Sequence, residues 1–409
     1  MTVVQTRPHG VDVSDLGAGR GPEWLDRWLA GRRGDLVRWR RSIHARPELA
    51  RQEHHTTDLC AGVLSDAGLR PRLLPGTGLL CDIGEGPRTV ALRADLDALP
   101  LTEMSDPPYR SQTPGVSHMC GHDAHTAVLL GTALALAEAP RLPGRVRLIF
   151  QPAEEVQPGG ALDVIAAGGL EGVERIFALH CDPRLEVGRV GTRVGPITSA
   201  CDMLELRLTS PGGHTSRPHL TADLVHALGT VITGLPDLLS RRVDPRSGTV
   251  LVWGTVSAGH AANAVPQAGT LGGTLRTSER ETWSDLEPLV RQLVTALLAP
   301  TGVGYTLEHR RGVPPVDNDA ESAALLAAAA VAAGGPDASV GTEQSSGGED
   351  FGWYLEHVPG AMARLGVWSG EGPMHDIHQP TFDLDERALP LGVRTLVHAA
   401  LGTLGAPPA

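Results

Sequence analysis

Apolar and polar residues in the first half of the chain follow two different periods. From Trp24 to Leu69, apolar residues such as Leu25 and Trp28 recur near every 3.6 positions, which predicts helix. After residue 89, short apolar runs alternate with helical segments; the predicted strands are Thr89–Ala94, Arg145–Phe150 and Arg175–Leu179, and the predicted helices are Ala124–Glu138 and Ala161–Ala167. This alternation predicts an α/β fold with a mostly parallel sheet covered on both faces. Ligands of such sheets bind beyond the carboxyl ends of the strands.

The pattern changes near residue 200. Leu204, Leu206 and Leu208 alternate with polar residues, which is typical of a half-exposed strand. The order strand, helix, strand, strand, helix, strand follows and predicts a ferredoxin-like α+β domain at 201–312. Because helix and strand alternation returns after Val313, we expect this domain to be inserted in a discontinuous larger domain, residues 23–200 and 313–409. Residues 1–22 are polar and contain Pro and Gly, which predicts a flexible leader.

Composition excludes several classes of protein. The 409 residues are 41% hydrophobic and 20% charged, as expected of a globular protein with a sizeable core. All 35 basic residues are Arg, and with 47 acidic residues the net charge is −12. An acidic chain with 3% aromatic residues is not expected to bind nucleic acid or a membrane surface. Five widely spaced cysteines, with no signal-peptide pattern, predict a cytoplasmic protein.

Cysteine, histidine and glutamate occur in two short motifs that suit a metal ion. In Cys120-Gly-His122 the glycine permits a tight turn, and a thiolate and an imidazole together suit a divalent ion such as zinc. Glu154 and Glu155 follow the predicted strand Arg145–Phe150, so one carboxylate can ligate metal while its neighbour takes a proton. Each motif alone has an ordinary alternative: a structural Cys beside a surface His, and a solvated acidic loop.

Two further histidines fall at the same predicted edge. His180 closes the predicted strand Arg175–Leu179, and His378 stands in Met374-His-Asp-Ile-His-Gln-Pro380 late in the chain. Alone, the first could be a core residue and the second could lie in a surface turn. Four signals at the carboxyl edge of one predicted sheet together favour a metal site.

Seven stretches, in this order along the chain, resemble the metal-dependent N-acyl-amino-acid amidohydrolases. This group contains bacterial aminoacylases, hippurate hydrolase and plant auxin-conjugate hydrolases, and it is related to zinc carboxypeptidases. The resemblance runs from about Leu36 to the end of the chain. The stretches are His44–Leu49, Arg93–Pro100, Cys120–His125, Gln151–Glu155, Pro211–His214, Gly348–Phe351 and His378–Pro380.

The resemblance implies a general base, Glu154, and two divalent metal ions. The implied ligands are Cys120, His122, Glu155, His180 and His378. Relatives use zinc, manganese, cobalt or nickel. Related peptidases have a His ligand where this chain has Arg93, and the Cys-containing branch also lacks it, so this departure indicates the branch. A second departure, Gly348 in place of serine, removes a hydroxyl near the site.

Two aspartates near the predicted edge have less certain roles. Asp95 is a candidate to orient a ligand histidine. For Asp97, a purely structural role is an equally good interpretation.

In the inserted domain, the resemblance implies three residues that reach the substrate. His214 would be a catalytic residue that stabilises the oxyanion, Arg276 would clamp the substrate carboxylate, and Asn263 would add a hydrogen-bond donor. The alternatives are an edge-strand arginine facing solvent and a turn asparagine. In relatives the histidine acts across a dimer interface, so a homodimer through this lid and dimerisation domain is expected.

The predicted activity is metal-dependent hydrolysis of the amide bond of an N-acyl amino acid, a small-molecule substrate with an acetyl, benzoyl or longer acyl group. The products would be a carboxylate and a free amino acid, with a metal-activated water and Glu154 as general base. Three alternatives remain: a metallo-dipeptidase or carboxypeptidase on the same site, a non-catalytic metal-binding scaffold, and nucleophilic catalysis by Cys120 with His122 or His125 as base. Glu154 disfavours the scaffold, because a protein that only binds metal has no need of a base beside the ion. Catalysis by the Cys120 thiol would leave the glutamates and the distant histidines without a role.

Overall fold

The computed structural model describes residues 21–405, so the predicted leader lies outside the described residues except for Gly21 and Pro22. The helices of the described part are α1 Glu23–Ala45, α2 His54–Asp66, α3 His122–Ala137, α4 Ala161–Ala166, α5 Leu224–Ser240, α6 Arg280–Leu298, α7 Ala320–Gly334, α8 Gly352–Leu355 and α9 Ala388–Gly405. Short 3₁₀ turns lie at Pro218–Leu220, Pro245–Ser247 and Ala299–Thr301. No helix among these is long and apolar enough to cross a bilayer.

The strands form one large sheet, one medium sheet and two short ribbons. They are β1 Arg72–Leu73, β2 Leu79–Ile83, β3 Thr89–Asp95, β4 Arg145–Gln151, β5 Val173–Glu186, β6 Val190–Thr192, β7 Gly195–Pro196, β8 Ala200–Thr209, β9 Gly213–His214, β10 Val250–Ala258, β11 Ala264–Val265, β12 Ala268–Thr277, β13 Gly304–Val313, β14 Asp317–Asn318, β15 Ser339–Gly341 and β16 Gly360–Trp368. The large sheet has the order β1-β2-β4-β3-β5-β16-β6-β15. Its central strands β4, β3, β5 and β16 are parallel, which confirms the predicted mostly parallel sheet.

Both faces of the large sheet are covered, as the alternation of strands and helices predicts. Successive side chains of a strand point to opposite faces, and in β3 Leu92 packs into one core while Ala91 packs into the other. The larger core contains residues from α1, α3, α7 and α9, and the smaller one contains residues from α4 and α8.

The second sheet is antiparallel, has the order β10-β12-β8-β13, and has its own core. Leu206 and Leu271 of the sheet pack there with Leu228 of α5 and Val290 of α6. This strand order is that of a ferredoxin-like fold and agrees with the predicted fold class. We propose that the domain bounds of 201–312 and of 23–200 with 313–409 follow this division of the cores.

Strand β5 is longer than the predicted strand Arg175–Leu179, because it continues to Glu186. The pairing of β5 with β3 ends at Ala178, but the regular pairing of β5 with β16 continues through Asp182. His180 therefore lies inside the strand, and the prediction that it closes the strand was wrong. The polar side chains of β5 begin where its neighbour β3 stops, although the backbone of β5 remains hydrogen-bonded to β16.

Close packing leaves no room for a side chain at Gly131, where α3 lies between α1 and α9. A Cβ at this position would lie 2.4 Å from Leu36 Cδ2 and 2.9 Å from Val393 Cγ2. Both methyl groups belong to fully buried side chains, so neither can move into solvent.

Gly131→Ala is expected to lower the free energy of unfolding by roughly 1–3 kcal/mol, because overpacking outweighs a helix-propensity gain of about 1 kcal/mol. Gly62→Ala in α2 is the control, since this exposed glycine has no described atom within 4 Å of an added Cβ. It should raise the same free energy by about 0.4–1 kcal/mol. Urea unfolding measures both variants, and equal stabilities would contradict the tight helix junction.

Candidate active site and metal centre

The carboxyl end of the large sheet opens on a cavity of about 570 Å³. Six residues predicted from the sequence line it: Cys120, Glu154, Glu155, His180, Arg276 and His378. The lining does not include the other three predicted residues, His122, His214 and Asn263.

The turn before α3 places Cys120 in the lining of this cavity, whereas His122, the first residue of α3, is fully buried and does not line it. Gly121 has φ of 92°, in the left-handed region, and a Cβ there would lie 2.9 Å from Cys181 Sγ. Only glycine fits such a turn without strain. The Cys120 Sγ consequently lies 3.5 Å from His180 Nε2.

Backbone carbonyl groups orient two of the histidine rings. His122 Nδ1 donates to the Asp97 carbonyl oxygen at 2.9 Å, and His180 Nδ1 donates to that of Cys181 at 2.8 Å. Each bond fixes the tautomer and leaves the Nε2 lone pair free to bind a metal ion. The free His122 Nε2 lies 3.8 Å from Glu155 Oε1 and 4.0 Å from Glu154 Oε2.

Asp97 also holds the backbone that carries the two glutamates. Its Oδ1 accepts from the Glu154 N–H at 3.0 Å and its Oδ2 accepts from the Glu155 N–H at 2.9 Å. The preceding Ala153 has φ of 56°, which costs free energy in a residue other than glycine, and its N–H donates to Glu53 Oε1 at 2.8 Å. Asp97 therefore positions the proposed base and a proposed ligand. The sequence alone did not distinguish this positioning role of Asp97 from a purely structural one.

His378 reaches the cluster from the far end of the chain. It too has a left-handed backbone, with φ of 64°, and its N–H donates to the Met119 carbonyl oxygen at 2.7 Å. Its Nε2 lies 3.4 Å from Glu155 Oε1.

The five predicted ligands form two groups that share Cys120. The donor atoms of Cys120, His122 and His180 lie within 4.8 Å of one another, and so do those of Cys120, Glu155 and His378. Within the described chain, His122 Nε2 and Glu155 Oε1 are buried with no hydrogen-bond partner. Leaving such atoms unsatisfied is unfavourable, and a divalent cation would satisfy both. The residues therefore fit a metal site.

The charges of the site also favour a cation. Burial, assisted by Glu155, raises the pKa of the Cys120 thiol well above its usual value. Burial, followed by Glu349 and Glu155, raises the pKa of the Glu154 carboxyl. A bound cation opposes both effects because it stabilises the thiolate and the carboxylate.

Arg93 lies below the cavity as a counter-ion and not as a ligand. It pairs with Asp95 at 2.6 Å, with Asp350 at 2.8 Å and with Glu349 at 3.1 Å. Burial raises the pKa of Asp350 to about 8, although Arg93 lowers it. The resemblance implied only that a ligand histidine is missing at this position, and the structure shows that the arginine neutralises three carboxylates there.

Asp95 orients His125, which is not one of the predicted ligands. Its Oδ1 accepts from His125 Nδ1 at 2.7 Å, and His125 Nε2 accepts from the Cys181 N–H at 2.8 Å. The expectation that Asp95 orients a ligand histidine was wrong, because His125 uses both ring nitrogens and cannot be a ligand. For the same reason His125 is not available as a base for Cys120. Asp95 Oδ2 lies 3.8 Å from Nε2 of the predicted ligand His122, beyond hydrogen-bond distance.

His214 and Asn263 lie next to each other but away from the ligands. His214 is in β9 and Asn263 directly precedes β11, and the Thr215 N–H donates to the Asn263 carbonyl oxygen at 3.3 Å. Both side chains are exposed. Arg276, in contrast, lines the cavity and its Nη1 donates to the Ser346 carbonyl oxygen at 2.7 Å.

Arg364 of β16 also lines the cavity, and no motif identified it. Its side chain is 5% exposed, and burial lowers the pKa of its guanidinium. A signal was present, because Arg364 is the one charged residue in the apolar run of β16, Gly360–Trp368.

Comparisons with known proteins place this chain beside metal-binding hydrolases. The family described as Peptidase family M20/M25/M40 matches residues 91–402. An N-acetylcysteine deacetylase of Bacillus subtilis is 37% identical, with coverage of 87% of this chain and 93% of the relative. The crystal structure of the Bacillus subtilis YXEP protein, a dinuclear metal binding peptidase from the M20 family, has a TM-score of 0.80 and 32% identity over 92% of this chain and 99% of that one.

A Rhodococcus jostii protein that carries a glutamate–cysteine ligase name is 58% identical over 88% of this chain. The match covers 46% of that protein, so the chain spans less than half of its length.

Asp97→Asn is expected to weaken metal binding by about 10–100-fold, because an amide presents a donor to one of the two backbone N–H groups that Asp97 now holds. Competition with a chelator measures the affinity. Asp82→Asn is the control, since this partly exposed carboxylate pairs with Arg147 on the large sheet. Equal affinities in both variants would show that Asp97 does not position the site.

Proposed function

The chain belongs to peptidase family M20/M25/M40, and we propose that it hydrolyses N-acyl amino acids to a carboxylate and a free amino acid. One observation carries this proposal: Glu154 lines the same cavity as the metal-ligand cluster, on a turn that Asp97 fixes. A scaffold that only binds metal does not need a carboxylate held there. The name of the 37% identical deacetylase supports an N-acyl substrate.

Two divalent ions would be held by the proposed ligands Cys120, His122, Glu155, His180 and His378. When bound, they would supply a Lewis acid that polarises the scissile carbonyl group. Thiolate, imidazole and carboxylate donors together suit zinc, manganese, cobalt or nickel.

Glu154 is proposed to transfer the proton that the reaction needs. Its carboxylate takes a proton from the attacking water as the water oxygen bonds to the carbonyl carbon. The same carboxyl group then donates that proton to the amine nitrogen as the carbon–nitrogen bond breaks. The products are a carboxylic acid and an amino acid with a free amino group.

Arg276 is proposed to bind the carboxylate of the amino-acid part. One of its Nη atoms is occupied by the Ser346 carbonyl oxygen, so the remaining donors can face the cavity. A planar guanidinium binds a carboxylate with two parallel hydrogen bonds. Asn263 would add one donor and His214 would stabilise the oxyanion.

A homodimer through the inserted domain would supply the residues that the cavity lacks. His214 and Asn263 are absent from the lining of their own chain's cavity. The edge strand β10 exposes three valines, with 53% for Val250, 57% for Val252 and 61% for Val256. An apolar edge of this kind supports an interface, and we propose that His214 of the partner subunit completes each site.

A cytoplasmic location is also proposed. The five cysteines are all free and buried, which supports a reducing compartment.

Glu154→Gln is expected to lower kcat by roughly 10²–10⁴-fold, because glutamine cannot accept the proton from water. Steady-state kinetics on N-acetyl amino acids, with metal analysis of the same samples, measures the effect. Metal content should stay at the wild-type level, and Glu371→Gln on an exposed turn is the control. A Glu154→Gln enzyme with nearly normal turnover would exclude Glu154 as the base.

Mixing two inactive variants tests whether His214 crosses the interface. Co-expressed His214→Ala and Glu154→Gln chains should recover about a quarter of wild-type activity, because half of the dimers are mixed and each of these has one intact site. His180→Ala mixed with Glu154→Gln should recover nothing, since both changes affect the cavity of their own chain. No recovery in the first mixture would place His214 in its own chain's site or in none.

A further inference from the structure

Four arginine side chains are buried in the described part of the chain, and one of them has no partner. Arg40, Arg93 and Arg394 each form an ion pair with a carboxylate. Arg364 is 5% exposed and its Nε is buried without a hydrogen-bond partner. Across residues 21–405, no carboxylate lies within ion-pair distance of its guanidinium.

A buried guanidinium without a partner is an unfavourable arrangement. Arginine keeps its charge at neutral pH, and removing an unpaired charge from water costs several kcal/mol. The carboxylates that influence Arg364 most are already paired: Asp182 with Arg184 at 2.8 Å, and Glu349 with Arg93 at 3.1 Å. The charge is therefore left for an anion that does not belong to residues 21–405.

The position of Arg364 directs this anion to the reaction site. Arg364 pairs in register with His180 of the neighbouring parallel strand, so both side chains leave the same face of the sheet. Arg364 also lines the cavity that contains Cys120 and Glu154.

We propose that Arg364 binds a carboxylate on the acyl group of the substrate, so that the enzyme prefers amino acids acylated by a dicarboxylic acid. Succinyl, glutaryl and γ-glutamyl groups belong to this class. The inference rests on the proposed function, in which Arg276 at the partly exposed side of the cavity takes the carboxylate of the amino acid. The other end of the molecule, the acyl group, then faces the buried Arg364.

The experiment compares N-succinyl-L-alanine with N-(4-methylpentanoyl)-L-alanine, in which a neutral branched alkyl end replaces the carboxylate. The wild-type enzyme should have a kcat/KM for the succinyl substrate about 100-fold higher or more, since a buried charge-assisted pair is formed only there. Arg364→Met should remove that preference.

Arg184→Met is the matched control. It removes a positive charge close to Arg364, but Arg184 pairs with Asp182 and does not line the cavity. The preference for the succinyl substrate should remain in this variant. Arg364→Lys keeps the charge without the planar fork and should give an intermediate preference, which provides a second test if Arg364→Met does not fold.

Binding of free succinate, measured by calorimetry on the metal-loaded protein, gives a readout that does not need turnover. Affinity should fall at least about 10-fold in Arg364→Met and stay unchanged in Arg184→Met. Metal content, measured in each sample, should be equal.

Three results would overturn the proposal. The first is that the wild-type enzyme does not prefer the succinyl substrate. The second is that Arg364→Met reduces kcat/KM for both substrates equally. The third is that Arg364→Met instead removes a preference for N-acetyl-L-glutamate over N-acetyl-L-glutamine, which would assign the bound carboxylate to the amino-acid side chain. A failure of the proposed function can be told apart from these results, because the wild-type enzyme would then hydrolyse none of these amides. In that case the succinate-binding measurement would still test whether Arg364 binds a carboxylate.

Discussion

The hydrogen bonds of Asp97 join the two halves of the candidate site. Its carbonyl oxygen orients His122 at the start of α3, and its carboxylate holds the backbone N–H groups of Glu154 and Glu155 after β4. One residue at the end of β3 thus sets the distance between a ligand ring and two carboxylates that lie on different elements. The left-handed Ala153 shows that this turn departs from the backbone conformation that its residue type prefers.

Charge balance is the second constraint, and it follows from burial. Arg93 neutralises the acidic groups below the cavity, but in residues 21–405 no arginine pairs with Cys120, Glu154 or Glu155 above it. Buried carboxylates near one another are unfavourable unless a positive charge joins them. The same argument applied with the opposite sign to Arg364 requires an anion. A divalent metal cluster next to an unpaired guanidinium would suit a substrate that has a neutral carbonyl group at the reacting centre and a negatively charged acyl end.

Much of this arrangement could be predicted from the sequence, for identifiable reasons. The strands and helices of the large sheet follow from apolar period and length. Glu154 and Glu155 come soon after one of these strands, and Cys120 comes just before one of these helices. His180 was placed on the right strand but at the wrong point, because its polar neighbours resemble a strand end while β16 keeps the backbone paired. The pairing partner of a strand is a long-range property that local pattern does not contain.

Other features needed coordinates. Nothing near Asp97 in the sequence shows that its carboxylate meets a turn more than fifty residues later, at a separation of 57 from Glu154. Arg364 was visible as a charge inside an apolar run, but only the structure shows that no carboxylate pairs with it. His214 came from the family resemblance alone, and the proposed second subunit would explain its place outside the cavity of its own chain.

Anomalous diffraction from crystals of the metal-loaded protein tests the central claim most directly. The account predicts two peaks per chain, with Cys120 Sγ about 2.3 Å from both and the nitrogen and carboxylate ligands at about 2.0–2.2 Å. His122, His180, Glu155 and His378 should complete the two sites, and Glu154 should remain free to reach a water molecule. Crystals without a peak beside Cys120, or with ions bound only at surface carboxylates, would contradict it.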